Sequence, residues 1–217
     1  ADLTKNNPNY SLLSLSKLPL TQAFLSSLRD SNHVTALIKN YSGVKELFEV
    51  ISDAHINRMG YYSFTVWPFL NTHRNDLLLG SGCFNGEVFK TAMHYSTKEK
   101  LREVIRKYDF IEIQPPENYR YLVETQEIPT MEDVKTVIKD IIEAAKAENK
   151  LICVTGDCHY VNPSDKVYRD VIICAQQVGK RFHPLFSSRR ARKDSRIFQN
   201  PDQHYRTTDE MFEAFSF

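Results

Sequence analysis

Apolar residues along the chain alternate between short continuous runs and longer stretches with helical spacing. The continuous runs predict strands over residues 34–38, 77–79, 110–114 and 151–155, and those over 77–79 and 151–155 are expected to be buried. The helical spacing predicts helices over residues 44–51, 87–94, 131–147 and 165–176, and two more that begin at Thr97 and Thr208. Strands that alternate with helices predict an α/β fold with parallel strands, in an open sheet or a closed barrel.

Several predicted helices follow a residue suited to capping. Ser42, Thr97, Thr130 and Ser164 stand at such positions, where a hydroxyl can accept from an N–H of the first turn. The clearest helix follows Thr130, because Asp133 stands three residues on, as in a capping box. The apolar stripe of this helix consists of Val134, Ile138, Ile141, Ile142 and Ala145.

Composition narrows the class of protein. A chain of 217 residues fits one sizeable domain or two small ones, and 41% hydrophobic with 25% charged residues is ordinary for a globular protein. The net charge of +1 excludes a globally basic nucleic-acid coat. With neither a membrane-length apolar run nor a secretory signal, we expect a cytoplasmic protein. The start at Ala1, without an initiator Met, leaves open that the chain is cut from a longer product.

The four cysteines match no zinc-finger spacing, and we expect reduced thiols. Cys153 and Cys174 lie among apolar residues and are interpreted as core residues. Cys83 and Cys158 lie beside glycines and polar residues at predicted loops, where either packing or a functional role is open.

A candidate site lies where two predicted strands end, the edge at which α/β folds collect their chemistry. On extended chain, Asp157 and His159 would point to the same side, and a carboxylate with an imidazole suits Zn²⁺, Mn²⁺ or Fe. The alternative is that Asp157 caps a turn while His159 packs against Tyr160. His33 precedes the first strand, where a single histidine is more often a surface residue.

Five separated motifs recur in the order found in one known family. They are His33–Leu37, Leu79–Cys83 with Gly86-Glu87, Tyr108–Pro116, Val154–Tyr160 with Asn162-Pro163, and Tyr205–Met211. Over residues 32–217 this order resembles the PHP (polymerase and histidinol phosphatase) domain of the bacterial replicative DNA polymerase III α subunit of the PolC type. Residues 1–31 match only loosely and are interpreted as a lead-in.

The resemblance implies the C-terminal portion of a distorted (β/α)7 PHP barrel. In PolC an inserted proofreading exonuclease splits the PHP domain, and this chain resembles only the part after the insertion. The family's N-terminal ligand motifs, of the H-x-H and D-H-G kinds, are absent from the sequence. The resemblance implies divalent metal ions (zinc, manganese or iron), and the ligands that remain are His33, Cys83, Asp157 and His159.

The function implied by the resemblance is DNA replication, as part of the PHP domain of a DNA-directed DNA polymerase. Such a domain can be a structural platform, with metal-dependent phosphoesterase or 3′–5′ exonuclease-like hydrolysis. The implied partners are the N-terminal PHP part, the exonuclease and palm domains of the same polymerase, and DNA through the whole polymerase. Because the palm domain would lie beyond Phe217, this segment alone should lack nucleotidyltransferase activity.

Basic residues are concentrated between Gln176 and Tyr205, more than the family's usual short turn would have. Phosphate contact to DNA by Arg189, Arg190 and Arg192 is one interpretation. The other is a solvated loop.

Two other functions stay open, a free-standing PHP-family phosphoesterase and a non-catalytic interaction module whose site has decayed. The first is disfavoured by the missing ligands and by the polymerase-like ending over residues 207–211. Half a barrel would expose strand edges and an apolar face. We therefore expect either self-association or dependence on the missing half.

Overall fold

The computed structural model describes residues 31–59, 63–94, 97–175 and 200–217. The chain forms two compact units, which divide between Gly80 and Ser81. Residues 1–30 of the predicted lead-in lie outside the described residues, as does the basic stretch with Arg189, Arg190 and Arg192. Within the described ranges, every helix is too short or too polar to cross a membrane.

The described residues of the first unit form two strands and two helices. They are β1 (Thr35–Ile38), α1 (Tyr41–Asn57), α2 (Trp67–Thr72) and β2 (Leu77–Gly80). β1 and β2 pair antiparallel, with Thr35 opposite Gly80. The prediction of parallel strands is therefore wrong for this pair. The alternation of strands with helices does not determine strand direction, because a connection as long as residues 39–76 can return the chain to either end of the neighbouring strand.

Helix α1 begins at Tyr41 and is capped by Asn40. The Asn40 side-chain oxygen accepts from the N–H groups of Ser42 at 2.9 Å and Gly43 at 3.3 Å. The Asn40 amide also donates to the carboxylate of Asp76 at 2.7 Å. The predicted cap Ser42 is thus wrong by two positions, because Asn40 has a second partner just before β2.

The described residues of the second unit form two further strands and six α-helices. They are α3 (Glu87–His94), α4 (Lys98–Ile105), β3 (Phe110–Ile113), α5 (Arg120–Glu124), α6 (Met131–Ala147), β4 (Leu151–Val154), α7 (Lys166–Ala175) and α8 (Thr208–Ala214), with short 3-10 helices at Pro116–Tyr119 and Pro163–Asp165. β3 and β4 pair in parallel, with Phe110 opposite Leu151. This pair and its helical connection confirm the predicted mixed α/β class, while the barrel stays a prediction.

The core of the second unit lies where α3, α4 and α6 pack together. On α6, the buried face contains Val134, Ile138, Ile141, Ala144 and Ala145. Tyr119 follows β3 and stacks on Phe89 of α3, with the ring centroids 4.4 Å apart. The carboxyl end of β3 is therefore fixed against the helices, which holds the residues that follow it in place.

The predicted caps at Thr97 and Thr130 are confirmed, because their side chains accept from the N–H groups of Lys100 and Asp133. The cap predicted at Ser164 is wrong. Ser164 lies inside the 3-10 helix that precedes α7, and this 3-10 helix is capped by Asn162, whose N–H donates to the carboxylate of Asp165 at 3.0 Å.

Candidate metal centre

The chain turns sharply as it leaves β4. Asn118, which is buried, donates from its side-chain amide to the backbone oxygen of Gly156 at 3.0 Å. The next residue, Asp157, has φ 49°, in the left-handed region that few residues other than glycine, asparagine and aspartate adopt. The chain from Asp157 to His159 is therefore not the extended strand that the sequence predicted, and the period-two argument for a shared face fails here.

The two side chains are neighbours for a different reason. His159 Nδ1 donates to the backbone oxygen of Asp157 at 2.7 Å, since a carbonyl oxygen can only accept. The same nitrogen lies 3.8 Å from Asp157 Oδ1. In the neutral ring this hydrogen bond leaves the free electron pair on Nε2, the arrangement that metal-binding histidines use.

Cys83 lies in the loop that follows Ser81 and is half-buried. Burial raises the pKa of its thiol, and the negative charges of Glu112 and Asp157 raise it further, while the Asn85 backbone N–H acts in the opposite direction. Cys83 is thus within electrostatic range of Asp157 and favours its protonated form. The structure therefore brings Asp157 and His159 together, and it relates Cys83 to Asp157 only through this electrostatic interaction.

Glu112 is the residue of this region that the sequence reasoning missed. It stands in β3, where its carboxylate accepts from the Thr155 hydroxyl at 2.7 Å and its N–H donates to the Ser81 hydroxyl at 2.8 Å. Glu112 therefore links β3 to the residues that precede Cys83 and Asp157. The available signal was a single carboxylate inside the otherwise apolar run Phe-Ile-Glu-Ile.

Tyr119 follows β3 and is 2% exposed, and its hydroxyl is within electrostatic range of the same groups. Burial raises the pKa of its hydroxyl far above the usual value, and the charges of Cys83, Glu112 and Asp157 act in the same direction. The buried Tyr119 hydroxyl therefore stays neutral.

The remaining residue of the predicted metal site is His33. His33 lies in the first unit, at an exposed position two residues before β1. Among the described residues, no group of three His, Cys, Asp or Glu side chains is arranged to hold a metal ion. The predicted set of His33, Cys83, Asp157 and His159 therefore stays a prediction.

The donors themselves suit a divalent metal. Asp157 offers a carboxylate oxygen, His159 offers Nε2, and Cys83 offers sulfur, which together match the preferences of zinc and, without the sulfur, of manganese or iron. Asp157 and His159 are side by side and partly exposed, with 39% and 34% of their side-chain surfaces accessible. Two donors of the kinds that these metals prefer thus lie side by side among the described residues, without a third donor arranged around the same point.

Comparison with known proteins gives the family. The sequence-family model of the PHP domain matches residues 15–152 of the chain. The chain is 34% identical to the PolC-type DNA polymerase III of Lactococcus lactis over 214 residues, which is 99% of the chain and 13% of that protein. It is 36% identical to the PolC-type DNA polymerase III of Bacillus subtilis over 185 residues, which is 85% of the chain and 12% of that protein.

The chain thus spans only about an eighth of the length of these relatives. The family match ends at residue 152, before Asp157 and His159, whereas the alignment with the Lactococcus lactis protein covers 99% of the chain. On the extent of the family match, which is more than half of the sequence, the chain belongs to the PHP domain family.

Proposed function

We propose that the chain acts as part of the PHP metal-binding domain of a replicative DNA polymerase of the PolC type. The observation that carries this is the similarity to PolC-type DNA polymerase III over 99% of the chain. In this role it is a structural platform within a longer polymerase that works on DNA in the cytoplasm. Arg189, Arg190 and Arg192 are proposed as additional contacts to DNA phosphates.

The proposal includes a divalent metal ion, zinc, manganese or iron, bound by Cys83, Asp157 and His159 with His33 as a further ligand. When bound, such an ion supplies a Lewis acid for a phosphate oxygen and for the attacking water. The chain's own groups prepare the site. The backbone oxygen of Asp157 orients the imidazole of His159. Glu112 in β3 is hydrogen-bonded to Thr155 and to Ser81, which precede Asp157 and Cys83 by two residues each.

Metal binding is tested by replacing Asp157 with alanine. We expect the wild-type chain to retain zinc or manganese after dialysis and Asp157→Ala to retain at least about tenfold less, because even loss of an outer partner costs that much. Metal content is measured by mass spectrometry. The control is Asp209→Ala, which removes an exposed carboxylate on α8 and should leave metal content unchanged.

The same proteins separate the competing functions. If neither the wild type nor Asp157→Ala binds metal, the proposed metal site is wrong, and the result favours an interaction module whose site has decayed. Strong phosphodiester hydrolysis by the wild-type chain, lost in Asp157→Ala, would favour a free-standing phosphoesterase. Primer extension by the chain would contradict the proposal that nucleotidyl transfer belongs to another domain.

The edge of β4 that faces away from β3 supports the proposal that the chain pairs with another part of a longer protein. Among the described strands, β4 pairs only with β3, and the Thr155 N–H donates to the oxygen of Ile113 at 3.0 Å. Since N–H and C=O groups alternate in direction along a strand, those of Ile152 and Val154 face the other edge. An open edge can pair with another strand, and we propose that the N-terminal PHP part of the same polymerase supplies it.

Without that partner, we expect the chain to self-associate in a concentration-dependent way. Leu151 is 71% exposed on β4, and Leu151→Lys should reduce association, because a charge on an edge strand opposes pairing. Sedimentation velocity over a range of concentrations measures the effect. Val161→Lys is the control, since Val161 is 68% exposed but lies outside the strand. A strictly monomeric wild type that unfolds cooperatively would contradict the expectation.

A further inference from the structure

The segment over residues 200–206, called here the return segment, runs beside the residues that follow β4. Tyr160 and His204 form a parallel bridge. The N–H of His159 donates to the oxygen of Gln203 at 2.8 Å, and the N–H of Tyr205 donates to the oxygen of Tyr160 at 2.9 Å. The return segment is thus joined by backbone hydrogen bonds to the stretch that carries the candidate ligands.

Gln203 is the residue of the return segment that touches both candidate ligands on that stretch. It is 5% exposed, and its Nε2 donates to Asp157 Oδ2 at 2.6 Å. Its backbone oxygen accepts from His159, and its own N–H donates to the Tyr160 hydroxyl oxygen at 3.0 Å. The two backbone hydrogen bonds hold the Gln203 main chain beside the candidate ligands, so its buried amide meets the carboxylate from a fixed position.

We infer that Gln203 is a positioning residue of the metal centre, which holds Asp157 Oδ2 and so presents Oδ1 to a cation beside His159. The inference rests on the proposed metal-binding function. Oδ2 accepts from Gln203, so Oδ1 is the carboxylate oxygen that this contact leaves for a cation. Oδ1 lies 3.8 Å from His159 Nδ1, the nitrogen that donates to the Asp157 backbone oxygen, and Nε2 of the same ring is the nitrogen left for a metal. A hydrogen bond to an ionised acceptor is about twice as strong as one between neutral groups.

The chemistry of the amide suits this role. A neutral donor orients the carboxylate without adding a positive charge of its own, whereas lysine or arginine at this position would add one. Arg169 is a cation that already lies within electrostatic range of Asp157. The Gln203 amide acts on Asp157 in the way that partners of metal-bound side chains generally act, by fixing their orientation.

The return segment has other attachments, which allow a matched control. Lys166 donates to the carboxylate of Asp202, and Asn200 donates to the carboxylate of Asp170. Neither contact involves Asp157 or His159. Loss of the Asp202 carboxylate therefore removes an attachment of the return segment and leaves the contacts of the candidate ligands in place. Loss of the Gln203 amide removes a contact of Asp157 and leaves the attachments through Asn200 and Asp202 in place.

The test is titration of Mn²⁺ alone into the full 217-residue chain, with free Mn²⁺ followed by electron paramagnetic resonance. We expect Gln203→Leu to bind Mn²⁺ about 10- to 100-fold more weakly than wild type. Asp202→Ala should bind it as wild type does. In the metal-free chain, the Gln203 side-chain amide signal in ¹⁵N spectra should shift in Asp157→Ala and stay unchanged in Asp202→Ala.

Each outcome decides the inference. Unchanged affinity in Gln203→Leu overturns it while leaving the proposed metal site intact. Equal losses in Gln203→Leu and Asp202→Ala, with matching decreases in melting temperature, overturn it in favour of a purely structural contact. If the wild-type chain binds no Mn²⁺, the proposed function fails and the inference fails with it.

Discussion

Replacing Gly86 with alanine is expected to destabilise the second unit by about 3 kcal/mol or more, at or beyond the upper end of the usual overpacking cost. A Cβ at this position would lie 2.1 Å from the backbone oxygen of Ser81 and 2.9 Å from that of Cys83. Backbone atoms cannot rotate away as a side chain can. The Gly86 N–H also donates to the Cys83 oxygen at 2.7 Å, so relief of the clash would disturb the loop that holds Cys83.

Urea unfolding followed by far-ultraviolet circular dichroism measures this loss. The matched control is Gly156→Ala, where the nearest atom to the new Cβ is the Cys158 sulfur at 2.8 Å. That sulfur belongs to an exposed side chain and can move, so we expect a loss below about 1.5 kcal/mol, as for tolerated swaps. Equal stability of Gly86→Ala and wild type would show that the loop adapts and would contradict the argument.

The local sequence pattern was sufficient to predict those helices and strands whose structure is determined by residues close by in the sequence. Helix α6 is an example, because Thr130 caps it and Ile138 lies on its buried face, both as predicted. At α1, by contrast, Asn40 and Ser42 both suit the cap, and the choice depends on Asp76, which lies 36 residues away. A pattern that extends over a few residues cannot show that contact.

The same contrast between local pattern and long-range contacts applies to the candidate site. The sequence placed Asp157 and His159 after a strand, but it predicted extended chain where Asp157 has φ 49°. The missed contacts join residues far apart in the chain, such as Gln203 with Asp157 across 46 residues. The antiparallel pairing of β1 with β2 is also a long-range feature. Such contacts depend on how the elements pack, which periodicity does not determine.

Replacing Ile138 with alanine is expected to lower the free energy of unfolding by about 2–5 kcal/mol. Ile138 is 0% exposed, on the face of α6 that packs with α3 and α4. Removal of its outer methyl groups leaves a cavity, because the surrounding side chains relax only in part. Alanine favours the helix, so the loss reports packing and not helix propensity. Urea unfolding followed by circular dichroism gives the difference.

Ile142 provides the matched control one turn further along the same helix. The sequence pattern assigned it to the same apolar stripe, yet it is only partly buried. Ile142→Ala removes the same atoms from a position where less surface is lost from the core, so its effect should be clearly smaller. Equal losses in the two variants would mean that α6 is packed on a broader face than the structure has, and the assignment of the core to the Ile138 side would be wrong.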